Sequence, residues 1–223
     1  MKVLLVEDDP NLREGMGELL SELAEVRMVG QVREALAALR EERFELVLTD
    51  LRISGDAQGG RTIVEAAQKQ QQPVAIVSAA AAEEMTKLLL PFHADAMLSK
   101  PFQLEDILAL VERFLALRTE AERWAKAPPP AGSAWAEVAT GVQVAPAPPA
   151  QVPGSPTWVR MQAGASHAWA IRQSGEGILL VEGDVEVGGE RRPAPHYFFL
   201  SAGGPREVHT GAGCLAVSLA WNR

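Results

Sequence analysis

The sequence predicts two unlike halves: a doubly wound α/β domain of (βα)5 type, then an all-β sandwich or barrel. Three observations carry this. Short apolar runs alternate with helical stripes as far as Trp124. Eight of the fifteen prolines then crowd between Ala125 and Pro156. Beyond them, short strand-like runs are separated by glycine-rich breaks and no helical stripe recurs. Fully apolar strands between amphipathic helices mean a parallel sheet covered on both faces, whereas regular short strands with glycine punctuation mean antiparallel pairing.

In chain order, Val3–Val6 is a continuous apolar run. Leu12, Met16, Leu19, Leu20 and Leu23 come next at helical spacing, with Asp9-Pro10 as cap and first-turn proline. Leu46-Val47-Leu48 runs into Thr49-Asp50, Val74–Val77 into Ser78, and Ala96-Met97-Leu98 into Ser99-Lys100. Leu104, Ile107, Leu108, Val111 and Leu115 stripe a closing helix. The domain expected here spans 1–124. The Ala/Pro-rich segment 125–156 reads as a semi-stiff connector, because each proline removes a donor and restricts its predecessor. Within it, 135–144 alternates apolar and polar residues and offers a strand to the β-rich half. From 157 on, Trp158–Met161, Gly177–Val181, Val185–Val187, Tyr197–Leu200 and Cys214–Leu219 are the strand candidates.

Composition narrows the function. The net charge of −8 lies wholly in residues 1–125, which hold 22 acidic and 14 basic side chains; residues 126–223 hold 7 of each. Neither half has the clustered lysine and arginine that nucleic acid requires, so no nucleic-acid partner is expected. The opening MKVLLVEDDP is too short an apolar stretch for a signal peptide or membrane span. Cys214 is the single cysteine, so no disulfide framework exists. A cytoplasmic protein without membrane partners is the expectation, and Cys214, inside an apolar run, is expected to be an inert buried thiol.

In an open parallel sheet, ligands bind beyond the carboxyl ends of the strands. Glu7, Asp8, Asp50, Ser78 and Lys100 all come directly after apolar runs and so converge on one edge. Neighbouring carboxylates repel unless a cation lies between them, and hard oxygen donors suit Mg2+. A lysine and a hydroxyl beside them can hold phosphoryl oxygens, and a carboxylate is a competent nucleophile toward phosphorus. The constellation points to phosphoryl transfer onto Asp50.

Residues 1–122 resemble the flavodoxin-like receiver domain of bacterial two-component response regulators, through VLLVEDDPNLRE, LVLTDLRISG, PVAIVSA and LSKPF in order and spacing. The resemblance implies that Glu7 and Asp8 hold a Mg2+ together with Asp50 and the backbone carbonyl of Arg52. It makes Asp50 the phosphoacceptor, Ser78 the switch hydroxyl and Lys100 the phosphoryl-binding lysine. It also implies a cis bond before Pro101 and a histidine kinase or phosphotransfer protein as phosphoryl donor, and the sequence leaves open whether the chain pairs as a homodimer. Met97 stands where the family carries its switch aromatic, and Asp56–Gly60 is longer and more polar than the usual turn. The output movement therefore departs from the usual ring rotation.

The second half resembles a cupin, most closely that of metal-binding anti-sigma factors. The residues are Gly164, Glu176 with Gly183 seven positions later, Asp184–Val187, Tyr197, the SAGG turn at 201–204 and Gly213-Cys214. The family's metal is held by two histidines one residue apart, a glutamate and a later histidine. Only Glu176 matches; the histidine places hold Trp169 and Ile171, or Ala170 and Arg172, and the later one holds Arg206. Metal binding is therefore not expected, since a site needs three or four convergent ligands. Alternation is expected to turn His167 and His209 outward, and His196 reads as a loop residue. For a mouth lined by Trp169, Arg172, Glu176 and Arg206, two readings stand: arginines meeting an anionic ligand or acidic partner, or Glu176 neutralised by an arginine in a closed barrel. The whole then reads as a non-enzymatic signalling protein whose cupin-like module binds a protein partner or a small molecule. The alternative is a receiver-regulated metal-dependent oxygenase or isomerase.

Overall fold

A computed structural model describes residues 1–53, 55–56, 58–126, 129, 134–146, 156–169, 175–202 and 206–220. The first half alternates strand and helix: β1 Lys2–Val6, α1 Pro10–Leu20, β2 Glu25–Val29, α2 Val32–Glu41, β3 Leu46–Thr49, α3 Gly59–Lys69, β4 Val74–Ser78, α4 Ala82–Leu89, β5 Ala96–Ser99 and α5 Leu104–Ala125. The strands form one parallel sheet in the order β2-β1-β3-β4-β5. Apolar residues of β1, β3 and β4 are buried on both faces, which is why these three read as unbroken apolar runs. Strand β2, at the sheet edge with the sequence EVRMV, is half exposed and showed no such run. Helix α1 starts where expected: the Asp9 carboxylate accepts from the backbone N–H groups of Asn11 and Leu12, and Pro10 opens the first turn.

The chain divides into two compact units between Leu115 and Ala116, not after Trp124. The cause is the last part of α5. Leu117, Ala121 and Trp124 are buried, and the Arg118 guanidinium lies 5.2 Å over the Tyr197 ring. Glu120 accepts from Trp124 Nε1 at 2.8 Å and from Arg123, so the helix end carries its own ion pair.

The second unit is antiparallel. Its strands are β6 Ala136–Ala139, β7 Val142–Pro146, β8 Thr157–Met161, β9 Ser166–Trp169, β10 Glu176–Val187, β11 Glu190–Pro193, β12 His196–Leu200, β13 Arg206–His209 and β14 Cys214–Ala220. The pairing order is β6-β7-β8-β14-β10-β13-β9, with β11 and β12 also on β10. Part of the expected connector is thus a hairpin, β6–β7, that pairs onto β8. The two runs expected around Gly183 are one strand, β10, whose register shifts between Leu180 and Glu182. Its first half pairs β12 and β14, its second β11 and β13, a bend that rolls the sheet toward a barrel. The interior is filled by Val142, Val159, Ile178, Leu180, Phe198, Val208 and their neighbours.

Candidate functional site

The strand ends bring Glu7, Asp50, Ser78 and Lys100 together, with Lys100 at the centre. Its ammonium donates to Asp50 Oδ2 and to Glu7 Oε2, each at 2.7 Å. The other Asp50 oxygen, Oδ1, accepts from the Ser78 hydroxyl at 2.8 Å and from the Arg52 backbone N–H at 3.2 Å. Contacts from three segments therefore fix one carboxylate and leave it 13% exposed at the sheet edge. The Lys100–Pro101 bond is cis, as the resemblance implies.

Burial and pairing set the charges. Burial pushes the Glu7 carboxyl above the usual carboxylate range, partly offset by Lys100. For Lys100, burial alone would lower the ammonium's pKa, but its hydrogen bonds with Asp50 and Glu7 outweigh that and raise it. The lysine stays charged throughout the neutral range.

Residues the sequence had not flagged shape the pocket. Arg13 Nη1 donates to the Glu7 carbonyl at 2.7 Å and reaches the Asp8 carbonyl at 3.4 Å, pinning the turn that carries both acids. Arg52 pairs with Glu84, at the start of α4, at 2.5 Å. Gly60 opens α3 directly against the turn after β3: a Cβ there would lie 2.5 Å from the Asp50 carbonyl oxygen and 2.6 Å from Leu51 Cα. The paired glycines after the polar loop were the available signal. Met97 is 38% exposed on β5, paired with Ile76.

For a divalent metal, the donor chemistry fits: the Asp8 and Asp50 carboxylates and the Arg52 carbonyl are hard oxygens at one sheet edge. Among the described residues no three acids, histidines or cysteines are gathered into a metal-holding group. Glu7 in particular faces Lys100, and its Oε1 accepts from the Asp9 N–H at 3.3 Å. The single ammonium thus offsets one of the two negative charges, Glu7 and Asp50, that it bridges.

The β unit is different. Glu176 Oε2 accepts from Trp169 Nε1 at 2.9 Å, and Oε1 accepts from the Ser218 hydroxyl. Among the described residues the partners of Glu176 are these two uncharged donors. Arg172 lies outside the described residues. The Arg206 backbone pairs with Trp169 across β13 and β9, and its side chain is likewise outside the description. His167 shares a strand face with buried Trp169, their rings 6.1 Å apart and edge-on, so it turns inward and not outward. His209 hydrogen-bonds Ser166 at 3.0 Å. His196 is the first residue of β12, not a loop residue, and stacks on Phe198. Cys214 is buried, and burial pushes its thiol up to about 11, as an inert thiol requires.

Comparison with known proteins bears on the first half. Residues 3–112 match the family model for the response regulator receiver domain. The sensory transduction protein LytT of Bacillus cereus is 32% identical over 119 residues, 51% of this chain and 47% of that protein. The probable C4-dicarboxylate response regulator DctR of Bacillus subtilis is 32% identical over 51% of each chain. The chain thus spans about half the length of these curated relatives. A CheY-like response regulator receiver domain protein from Methanospirillum hungatei aligns over 51% of this chain and 92% of its own, with 27% identity and a TM-score of 0.47. The receiver domain of sensor histidine kinase PA1611 from Pseudomonas aeruginosa, solved with magnesium in its active-site cleft, aligns over 51% and 96%, with 21% identity and a TM-score of 0.46. Residues 3–112 are a receiver domain of the two-component response regulator kind.

Proposed function

We propose that this protein is a response regulator phosphorylated on Asp50 and that it signals through its β unit without binding DNA. One observation carries the reading: Lys100 and Ser78 each hold a different oxygen of Asp50, at 2.7 and 2.8 Å. A carboxylate so oriented is a positioned nucleophile. An Asp50 oxygen attacks the phosphorus of a phosphohistidine on a histidine kinase or phosphotransfer protein. The P–N bond breaks, its electron pair returns to the imidazole, and an acyl phosphate forms. Lys100 and Ser78 are then placed to donate to the new phosphoryl oxygens. A bound Mg2+, held by Asp8, Asp50 and the Arg52 carbonyl with Glu7 nearby, would supply further charge neutralisation. Incubation with Mg2+ and acetyl phosphate should add one phosphoryl group per chain by intact mass. Asp50→Ala should abolish it, and an unmodified wild type under acetyl phosphate and under histidine kinases would overturn the reading.

The β unit is read as a binding module, not an enzyme. This rests on its donor set: Glu176 is committed to Trp169 and Ser218, and the surrounding interior is apolar side chains. Stoichiometric Fe, Mn, Zn or Ni in the purified protein would favour the receiver-regulated oxygenase or isomerase instead. No helix among the described residues is long and apolar enough to cross a membrane.

A further inference from the structure

A second cleft lies in the β unit, six residues along β10 from Glu176. It has a volume of about 790 Å3 and is bordered by the turn ends of β8, β10 and β14, within the usual size range of small-molecule sites. Its floor is backbone. Gly183 and Gly213 have φ of +80° and +88°, and a Cβ on Gly183 would lie 1.8 Å from the Gly213 carbonyl oxygen, an approach open to glycine alone. On one sheet face the register sets Arg160, Leu215 and Glu182 side by side on three neighbouring strands. Trp135 forms a wall, its ring centre 4.3 Å from the Arg160 guanidinium carbon.

The charges in this cleft are unspent. Arg160 donates through Nε and Nη2 to one oxygen of Gln143, at 3.2 and 2.6 Å, which leaves the rest of its donor fork available. Among the described residues neither Arg160 nor Glu182 has an ion-pair partner. Stacking on Trp135 holds the guanidinium plane, and that plane matches a carboxylate with two parallel hydrogen bonds. Two strand spacings separate Arg160 from Glu182, roughly 10 Å, and about three extended residues cover the same distance.

We propose that this cleft binds a short zwitterionic peptide, its carboxylate on Arg160, its ammonium on Glu182, and its apolar centre against Trp135 and Leu215. The assignment is independent of the phosphoacceptor reading of Asp50. Cys214 also lines the cleft but is buried, so the site binds and does not react.

Calorimetric titration of the full chain with Ala-Leu-Ala tests this, with the N-acetylated and C-amidated forms of the same tripeptide as controls. Saturable binding is expected, weakened about tenfold by either cap, the cost of one lost charged contact. Arg160→Gln and Glu182→Gln should each weaken it similarly with unchanged near-UV circular dichroism, while Asp50→Ala should bind as wild type does. Absence of saturable binding, equal affinity for the capped peptides, or unchanged affinity in both charge variants would overturn the proposal.

Discussion

Asp50 and Glu176 are both half-hidden carboxylates at the end of a strand, and their partners separate them. Asp50 shares an ammonium with a second carboxylate and takes a hydroxyl on its other oxygen, so charge and orientation are both held at a solvent-facing edge. Glu176 takes an indole N–H and a hydroxyl, both neutral, beside a filled interior. A carboxylate that a cation holds at an open edge is oriented and open to an incoming group, as the proposed phosphoryl transfer requires. One tied by neutral donors next to packed side chains is prepared to stay where it is. The difference teaches that a lone family-matched residue says little about chemistry until its partners are known.

The sharpest way to break the comparison is Lys100→Met. It should cut the initial rate of phosphoryl incorporation from acetyl phosphate by about a hundredfold or more, the scale of losing one oriented charge stabiliser. Gly60→Ala comes next: the new Cβ meets the Asp50 and Leu51 backbone, so urea denaturation should show a loss of about 1–3 kcal/mol, with slower phosphorylation. Glu176→Gln should cost about 1–2 kcal/mol of stability, because one donor loses its acceptor, and leave phosphorylation unchanged. If it slowed phosphorylation as Lys100→Met does, the two carboxylates would not be separable.

Two smaller effects sharpen the contrast. The Glu7 carboxyl is raised by burial, so the folded state holds that proton more tightly than the unfolded chain. Its charge therefore costs stability above the unfolded value of 4.5, and the cost fades as pH falls toward that value. Glu7→Gln should be more stable than wild type in urea at pH 7, with the difference shrinking toward pH 4.5. The Arg52–Glu84 pair is exposed, so Glu84→Gln should change the acyl phosphate lifetime by no more than about fivefold. Hydrolysis of the phosphorylated form, followed by mass, measures it.

Much of the receiver half was readable because each signal was local. An apolar run, a cap and a polar residue at the strand end lie within a few positions, and parallel strands bring all their carboxyl ends to one edge. Glu7, Asp50, Ser78 and Lys100 needed no pairing information to be placed together. The half-exposed edge strand β2 escaped because its pattern EVRMV carries neither an apolar run nor a clean alternation.

The sequence by itself determined the order of elements, the change of architecture near the proline-rich stretch, and the gathering of Glu7, Asp50, Ser78 and Lys100 at one sheet edge. Tertiary structure alone decided that Lys100 bridges Glu7 and Asp50, that Glu176 accepts from Trp169 and Ser218, that His167 turns inward, and that the boundary between the two units falls within α5, after Leu115. The physical reason is distance along the chain. Antiparallel pairing joins residues dozens of positions apart, such as Glu176 with Ala220, whose neighbour two along, Ser218, then reaches the Glu176 carboxylate, and a slip of one residue turns every side chain to the other face.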